Sequence, residues 1–101
     1  MTITTQNDNG KITFLLDGWL DTEAAPLLGE EIDKIESADE IIIDLDNVLY
    51  IASSGLRQIV AAHKKAKALN APFTVINVHT EIMTIFDLTG LNKKINVIKA
   101  E

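Results

Sequence analysis

Two hydroxyls and a glycine, Ser53-Ser54-Gly55, interrupt the apolar stretch NVLYIASSGLRQIV at residues 47–60. The stretch reads as a strand running into a helix, so the serines fall at a helix N-terminus. Two uses of a hydroxyl are open there. A serine oxygen can cap the helix by accepting a backbone N–H. It can also accept a phosphoryl group, because a phosphate at that position meets unpaired N–H groups and the positive end of the helix dipole. Phosphorylation adds about −1.5 to −2 charges at neutral pH, and burying those charges unpaired against a partner is unfavourable. A phosphorylated serine here would act as a switch on partner binding.

Catalysis by the same serines has little support. The nucleophile elbow G-x-S-x-G is absent, since the chain reads Ile51-Ala52-Ser53-Ser54-Gly55. A triad base would have to be His63, about two and a half turns beyond Ser53 on the same helix, or His79, which precedes a later helix. Both read as surface or packing residues, and two histidines with scattered acids make a poor metal set. The absence of cysteine removes a thiolate nucleophile, a disulfide framework and cysteine metal sites. Neither GxxxxGK[ST] nor GxGxxG occurs to cradle a phosphate. The expectation is a protein that is not an enzyme and needs no cofactor or metal.

The serines need a strand before them and a helix after them. Glu40-Ile41-Ile42-Ile43-Asp44-Leu45 is apolar on both faces, as in a buried parallel strand. Leu56, Ile59, Val60, Ala66 and Leu69 recur at helical spacing, with Lys64, Lys65 and Lys67 toward the negative end of that helix and Asn70 as its stop. Upstream, Ile3–Thr5 and Lys11–Leu16 flank Asn9-Gly10, a strong hairpin signal. A first helix follows, carrying Ala25, Leu28, Ile32 and Ile35, with Asp21 and Thr22 as N-cap candidates and Pro26 near its start. Asp21 could alternatively belong to the same site as Ser53. Phe73–Val78 predicts a further strand, Thr80–Leu88 a third helix closing at Gly90, and Ile95–Ile98 a last short strand. After the hairpin, strands alternate with helices. That order implies an α/β fold with a mixed sheet of four to five strands, parallel crossovers and about three helices. In such sheets, sites gather at the carboxyl ends of the parallel strands.

The 101 residues fit one domain, and a hydrophobic content of 47% supports a folded globule. Net charge is −6, which opposes nucleic-acid binding. The charge is divided unevenly: residues 1–50 hold 12 acids and 2 bases, and residues 51–101 hold 3 acids and 7 bases. Such polarity could steer a charged protein partner or simply reflect different solvated helix faces. Met1–Gly10 is polar, without an apolar signal core, and no apolar run approaches membrane-spanning length. A cytoplasmic protein without membrane insertion is expected. Trp19, beside Gly18, reads as a rim packing residue or a ligand platform, and Glu30, Glu31, Asp33 and Glu36 as a wet helix face.

Four stretches together resemble STAS domains, in particular small bacterial anti-sigma factor antagonists. In chain order these are LDGWLDTEAAPLL (16–28), EIIIDLDNVLYIASSGLRQIV (40–60), FTVINV (73–78) and IFDLTGLNKKINV (85–97). The second is the most specific. The resemblance implies a single STAS domain over residues 1–101 that takes part in partner switching. The unmodified antagonist binds an anti-sigma factor serine kinase and frees the sigma factor; phosphorylation by that kinase switches it off, and a PP2C-like phosphatase restores it. By position the acceptor is Ser53. The implied docking surface comprises Asp21, Thr22, Ala52, Ser53, Ser54, Gly55, Leu56 and Arg57. The family often places Asp immediately before the acceptor, where this chain has Ala52. That departure motivates an alternative, a non-switching STAS scaffold subunit of a lipid or anion transport assembly.

Overall fold

Asn9 and Gly10 take positive φ angles of 53° and 94°, the pair that a type I′ turn requires. They fold β1 (Thr2–Asp8) and β2 (Lys11–Leu20) into an antiparallel hairpin. The computed structural model describes every residue from Met1 to Glu101. Beyond the hairpin come α1 (Ala25–Asp33), β3 (Glu40–Ile51), α2 (Ser53–Ala68), β4 (Phe73–Val78), α3 (Thr80–Thr89), a short 3-10 turn (Leu91–Lys93) and β5 (Asn96–Lys99). The five strands lie in chain order, with β2 to β5 parallel to one another and β1 antiparallel at the edge. Sequential parallel strands joined by right-handed crossovers stack their helices on one face of the sheet.

Burial follows that arrangement. Ile12, Phe14 and Leu16 of β2, Ile41, Ile43 and Leu45 of β3, and Phe73 and Val75 of β4 alternate into one core. Leu28 and Ile32 of α1, Ile59, Ala62 and Ala66 of α2, and Ile82 and Phe86 of α3 complete it. The intervening strand residues Thr13, Leu15, Asp44, Thr74 and Ile76 are only half-buried. No helix is long and apolar enough to cross a membrane.

The expected sheet and helices are present, with the first three strands longer than the pattern predicts: β1 spans Thr2–Asp8 rather than Ile3–Thr5. β2 runs four residues past Leu16, and β3 runs six past Leu45. The cause lies in the register: Leu15 and Asp17 oppose Asp44 and Asn47, and Gly18 and Trp19 oppose Val48 and Tyr50. Each step gives β3 one extra residue, as at a β-bulge. The first bulge is braced by the Asp44 carboxylate, which accepts from the Asp46 N–H (2.9 Å) and from Asn77 Nδ2 (3.1 Å). Beyond it, the buried positions are Leu45, Val48 and Ile51, a spacing of three rather than two.

At its C-terminus α2 stops as Asn70 predicts. Asn70 is left-handed (φ 56°), Ala71 N–H donates to Ala66 O at 2.8 Å, and Asn70 N–H to Lys67 O at 3.1 Å. These are the two bonds of a Schellman motif. At the other edge of the helical layer, Glu31 ties α1 to β1, accepting from Thr5 Oγ1 (2.9 Å) and from Lys34 Nζ (2.7 Å).

Candidate functional site

The bulges carry β3 to Ile51, level with the end of β2 at Leu20. The next residue, Ala52, donates its N–H to Leu20 O at 2.9 Å and then acts as N-cap of α2 in extended conformation (φ −84°, ψ 166°). Leu56 N–H closes the first helical turn onto Ala52 O at 3.0 Å. Ser53 and Ser54 are therefore the first two residues inside the helix, and no side chain caps it. This corrects one of the two sequence-based uses of the hydroxyls: neither serine is the N-cap, because the bulged strand delivers Ala52 to that position.

Gly55 is needed for a steric reason. A Cβ at this position would lie 2.7 Å from both Leu20 O and Leu20 Cγ. The backbone of α2 thus approaches the end of β2 more closely than any side chain permits, and this contact fixes the helix start against the sheet. Outside it, Ser53 and Arg57 are exposed, Ser54 and Leu56 half-buried, and Gly55 buried. The Ser54 hydroxyl reaches Thr22 Oγ1 at 3.4 Å, joining the α2 start to the loop that follows β2. In that loop the Asp21 carboxylate accepts from Ala24 N–H at 2.9 Å, and its carbonyl accepts from Ala25 N–H at 2.9 Å. The N-cap of α1 is Ala24, so neither expected cap residue, Asp21 or Thr22, takes that position; Asp21 instead braces the approach to the helix from three residues before it. Pro26 falls in the first turn, where its missing N–H costs nothing.

The structure therefore brings Thr22, Ala52, Ser53, Ser54, Gly55, Leu56 and Arg57 to one end of the sheet, with Asp21 beside Thr22. The two histidines lie apart from one another in role. His63 packs at a tilt against Phe73, with ring centroids 5.6 Å apart and planes inclined by 52°, and by helical rise sits roughly 15 Å along α2 from Ser53. His79 Nε2 lies 2.9 Å from Asp46 O and 3.0 Å from Asp46 Oδ1. No three His, Cys, Asp or Glu side chains assemble into a metal-binding group. For a phosphoryl group the local electrostatics are favourable. The N–H groups of Ser53 and Ser54 belong to the unpaired first turn, no acid occupies that turn, and Arg57 stands one turn further on.

An aromatic pair adjoins this end of the sheet. Trp19 and Tyr50 are register partners on β2 and β3, with ring centroids 5.7 Å apart and planes inclined by 50°. Both are exposed, at 58% and 47%, as is Leu49 at 72%. Trp19 packs at the rim as its sequence context suggests, but Tyr50 and Leu49 do not stand out in the sequence because the strand pattern breaks at Leu45. Their signal was the three-residue spacing of Leu45, Val48 and Ile51.

A profile of the STAS domain matches residues 2–101. The chain belongs to the STAS domain family. Among sequence relatives of this STAS domain, the anti-sigma-B factor antagonist of Bacillus subtilis is 30% identical over 93 residues, covering 91% of this chain and 84% of the relative. Among solved structures, an anti-sigma factor antagonist from Mycobacterium paratuberculosis superposes with a TM-score of 0.86 at 25% identity, covering 96% and 84% of the two chains. The Bacillus cell fate determinant SpoIIAA in its phosphorylated form shares the fold, with a TM-score of 0.77 at 16% identity over 95% of this chain and 90% of its own.

Proposed function

We propose that this STAS domain is an anti-sigma factor antagonist whose binding is switched at Ser53. Unmodified, it docks an anti-sigma factor serine kinase through the α2 start and the Asp21-Thr22 loop, releasing the sigma factor. Phosphorylated on Ser53 it lets the kinase go, and a PP2C-like phosphatase resets it. One observation carries this reading: Ser53 is exposed in the first turn of α2, yet its hydroxyl has no part in capping the helix. The likeness to the Bacillus subtilis antagonist supports the class of partner.

Physical chemistry accounts for the direction of the switch. The helix itself tolerates the phosphate, which meets unpaired N–H groups and the positive end of the dipole. A docked partner that buries the same spot must desolvate nearly two negative charges. Since about 1.4 kcal/mol is tenfold in affinity, an unfavourable term of a few kcal/mol releases the complex. ATP belongs to the kinase in this scheme, and the STAS domain supplies the hydroxyl and the docking surface.

The test is capture from the native cell's lysate on immobilised Ser53→Ala and Ser53→Asp proteins, read by mass spectrometry. The antagonist reading predicts a histidine-kinase-like ATPase held by Ser53→Ala and lost from Ser53→Asp. Transporter subunits captured equally by both would instead make this a constitutive scaffold.

A further inference from the structure

On the flank of α2 that turns toward α3, Leu56, Val60 and Ala61 face Thr89 and Leu91 across an open groove of about 400 Å³. Arg57 and Lys64 stand along it, seven residues apart and so on one side of the helix. The groove is apolar along its floor and cationic along its edge, in a chain whose net charge is −6. It begins one turn from Ser53 and shares Leu56 and Arg57 with that site.

From this charge pattern we infer that the α2–α3 groove docks an acidic amphipathic helix contributed by the protein partner. The apolar stripe of such a helix would cover Leu56, Val60 and Leu91, and its Glu or Asp side chains would meet Arg57 and Lys64. Two cations two turns apart match acids at i and i+7 on a helix lying alongside α2. The inference rests on the antagonist reading only for the partner's identity; the groove's chemistry stands on its own residues. It also gives Ser53 a second lever. A phosphate there lies one helical turn from Arg57, so it both draws the guanidinium to itself and repels an approaching acidic segment.

The test uses the ¹⁵N-labelled protein and two synthetic helical peptides with the same Leu stripe, one carrying Glu and the other Lys on its flanks. The Glu peptide is expected to move the amide resonances of Leu56, Val60, Ala61 and Leu91. Its affinity should fall about tenfold in the folded Arg57→Glu/Lys64→Glu variant and fall with added salt, and the Lys peptide should leave the groove unperturbed. Equal binding of both peptides, shifts that map elsewhere, or no shifts at millimolar Glu peptide would overturn the inference. So would anionic phospholipid vesicles reproducing the shifts while the Glu peptide does not. If Ser53→Ala captures the kinase-like ATPase but the Arg57→Glu/Lys64→Glu protein captures it equally, the groove fails and the antagonist reading stands.

Discussion

The starts of α2 and α3 solve the same problem in opposite ways. At α3 the N-cap residue His79 is anchored to Asp46, and Glu81 places a carboxylate in the first turn, where it offsets the helix dipole. At α2 the N-cap is Ala52 and no acid follows, while at neither helix start does a side chain hydrogen-bond the first-turn N–H groups. The α2 start is held instead by backbone packing, through Gly55 against Leu20. A helix start fixed by sterics and left electrically unbalanced can accept a phosphate without refolding. One already neutralised, like that of α3, has less to gain.

The largest effect comes from breaking the packing. In Gly55→Ala the added methyl meets the Leu20 carbonyl at 2.7 Å, and overpacking of this kind costs about 1–3 kcal/mol. Urea unfolding should show that loss. An unchanged midpoint would mean that α2 is not held by its approach to β2.

Next is a substitution that gives the α2 start a carboxylate, which α3 has from Glu81 in its first turn. Ala52→Asp supplies an N-cap carboxylate to the first-turn N–H groups and should stabilise the protein by about 1 kcal/mol, raising Tm by about 4–8 °C for a domain of this size. No gain would imply that those N–H groups already have partners. Smaller still is the expected effect of Ser53→Ala on stability, within about 0.5 kcal/mol. A loss near 1 kcal/mol would restore Ser53 as a helix cap and remove the contrast between the two helix starts.

Glu31 lies away from both and serves as a control. The hydrogen bond from Lys34, followed by that from Thr5, holds its carboxyl below the ordinary glutamate range, and the same Glu31 bond raises Lys34. The Glu31 contribution is present above the ordinary glutamate pKa and is lost as pH falls through the lowered native one. The Lys34 contribution is present below the ordinary lysine pKa and is lost as pH rises through the raised native one. Solvent screening keeps both small. Thermal melts of Glu31→Gln across acidic pH should differ only slightly from the parent, and a large difference would show that the β1–α1 tie carries more than a surface pair.

How far the sequence foretold this arrangement varies by region. The hairpin turn was legible because Asn-Gly satisfies a backbone geometry that few dipeptides can. The end of α2 was legible for a similar reason at Asn70. The apolar runs Lys11–Leu16 and Glu40–Leu45 located the strands β2 and β3, although a β3 run apolar on both faces did not reveal which face packs on the helices. Beyond Leu45 the bulges changed the period, which hid the length of β3, the exposure of Leu49 and Tyr50 and the pairing of Tyr50 with Trp19. They also hid the identity of the N-cap, since counting from the serines gives a cap at Ser53 or Ser54, whereas the observed register moves it to Ala52. Sequence thus placed the two serines at the start of α2, and long-range register determined that neither is its N-cap.

The most direct test of the central claim compares true phosphoserine with serine. The protein, unmodified or stoichiometrically phosphorylated at Ser53 as verified by mass spectrometry, is titrated calorimetrically into the ATPase captured by Ser53→Ala. The account predicts that phosphorylation weakens binding by at least about tenfold, equivalent to about 1.4 kcal/mol. Equal affinities for the two forms would contradict it.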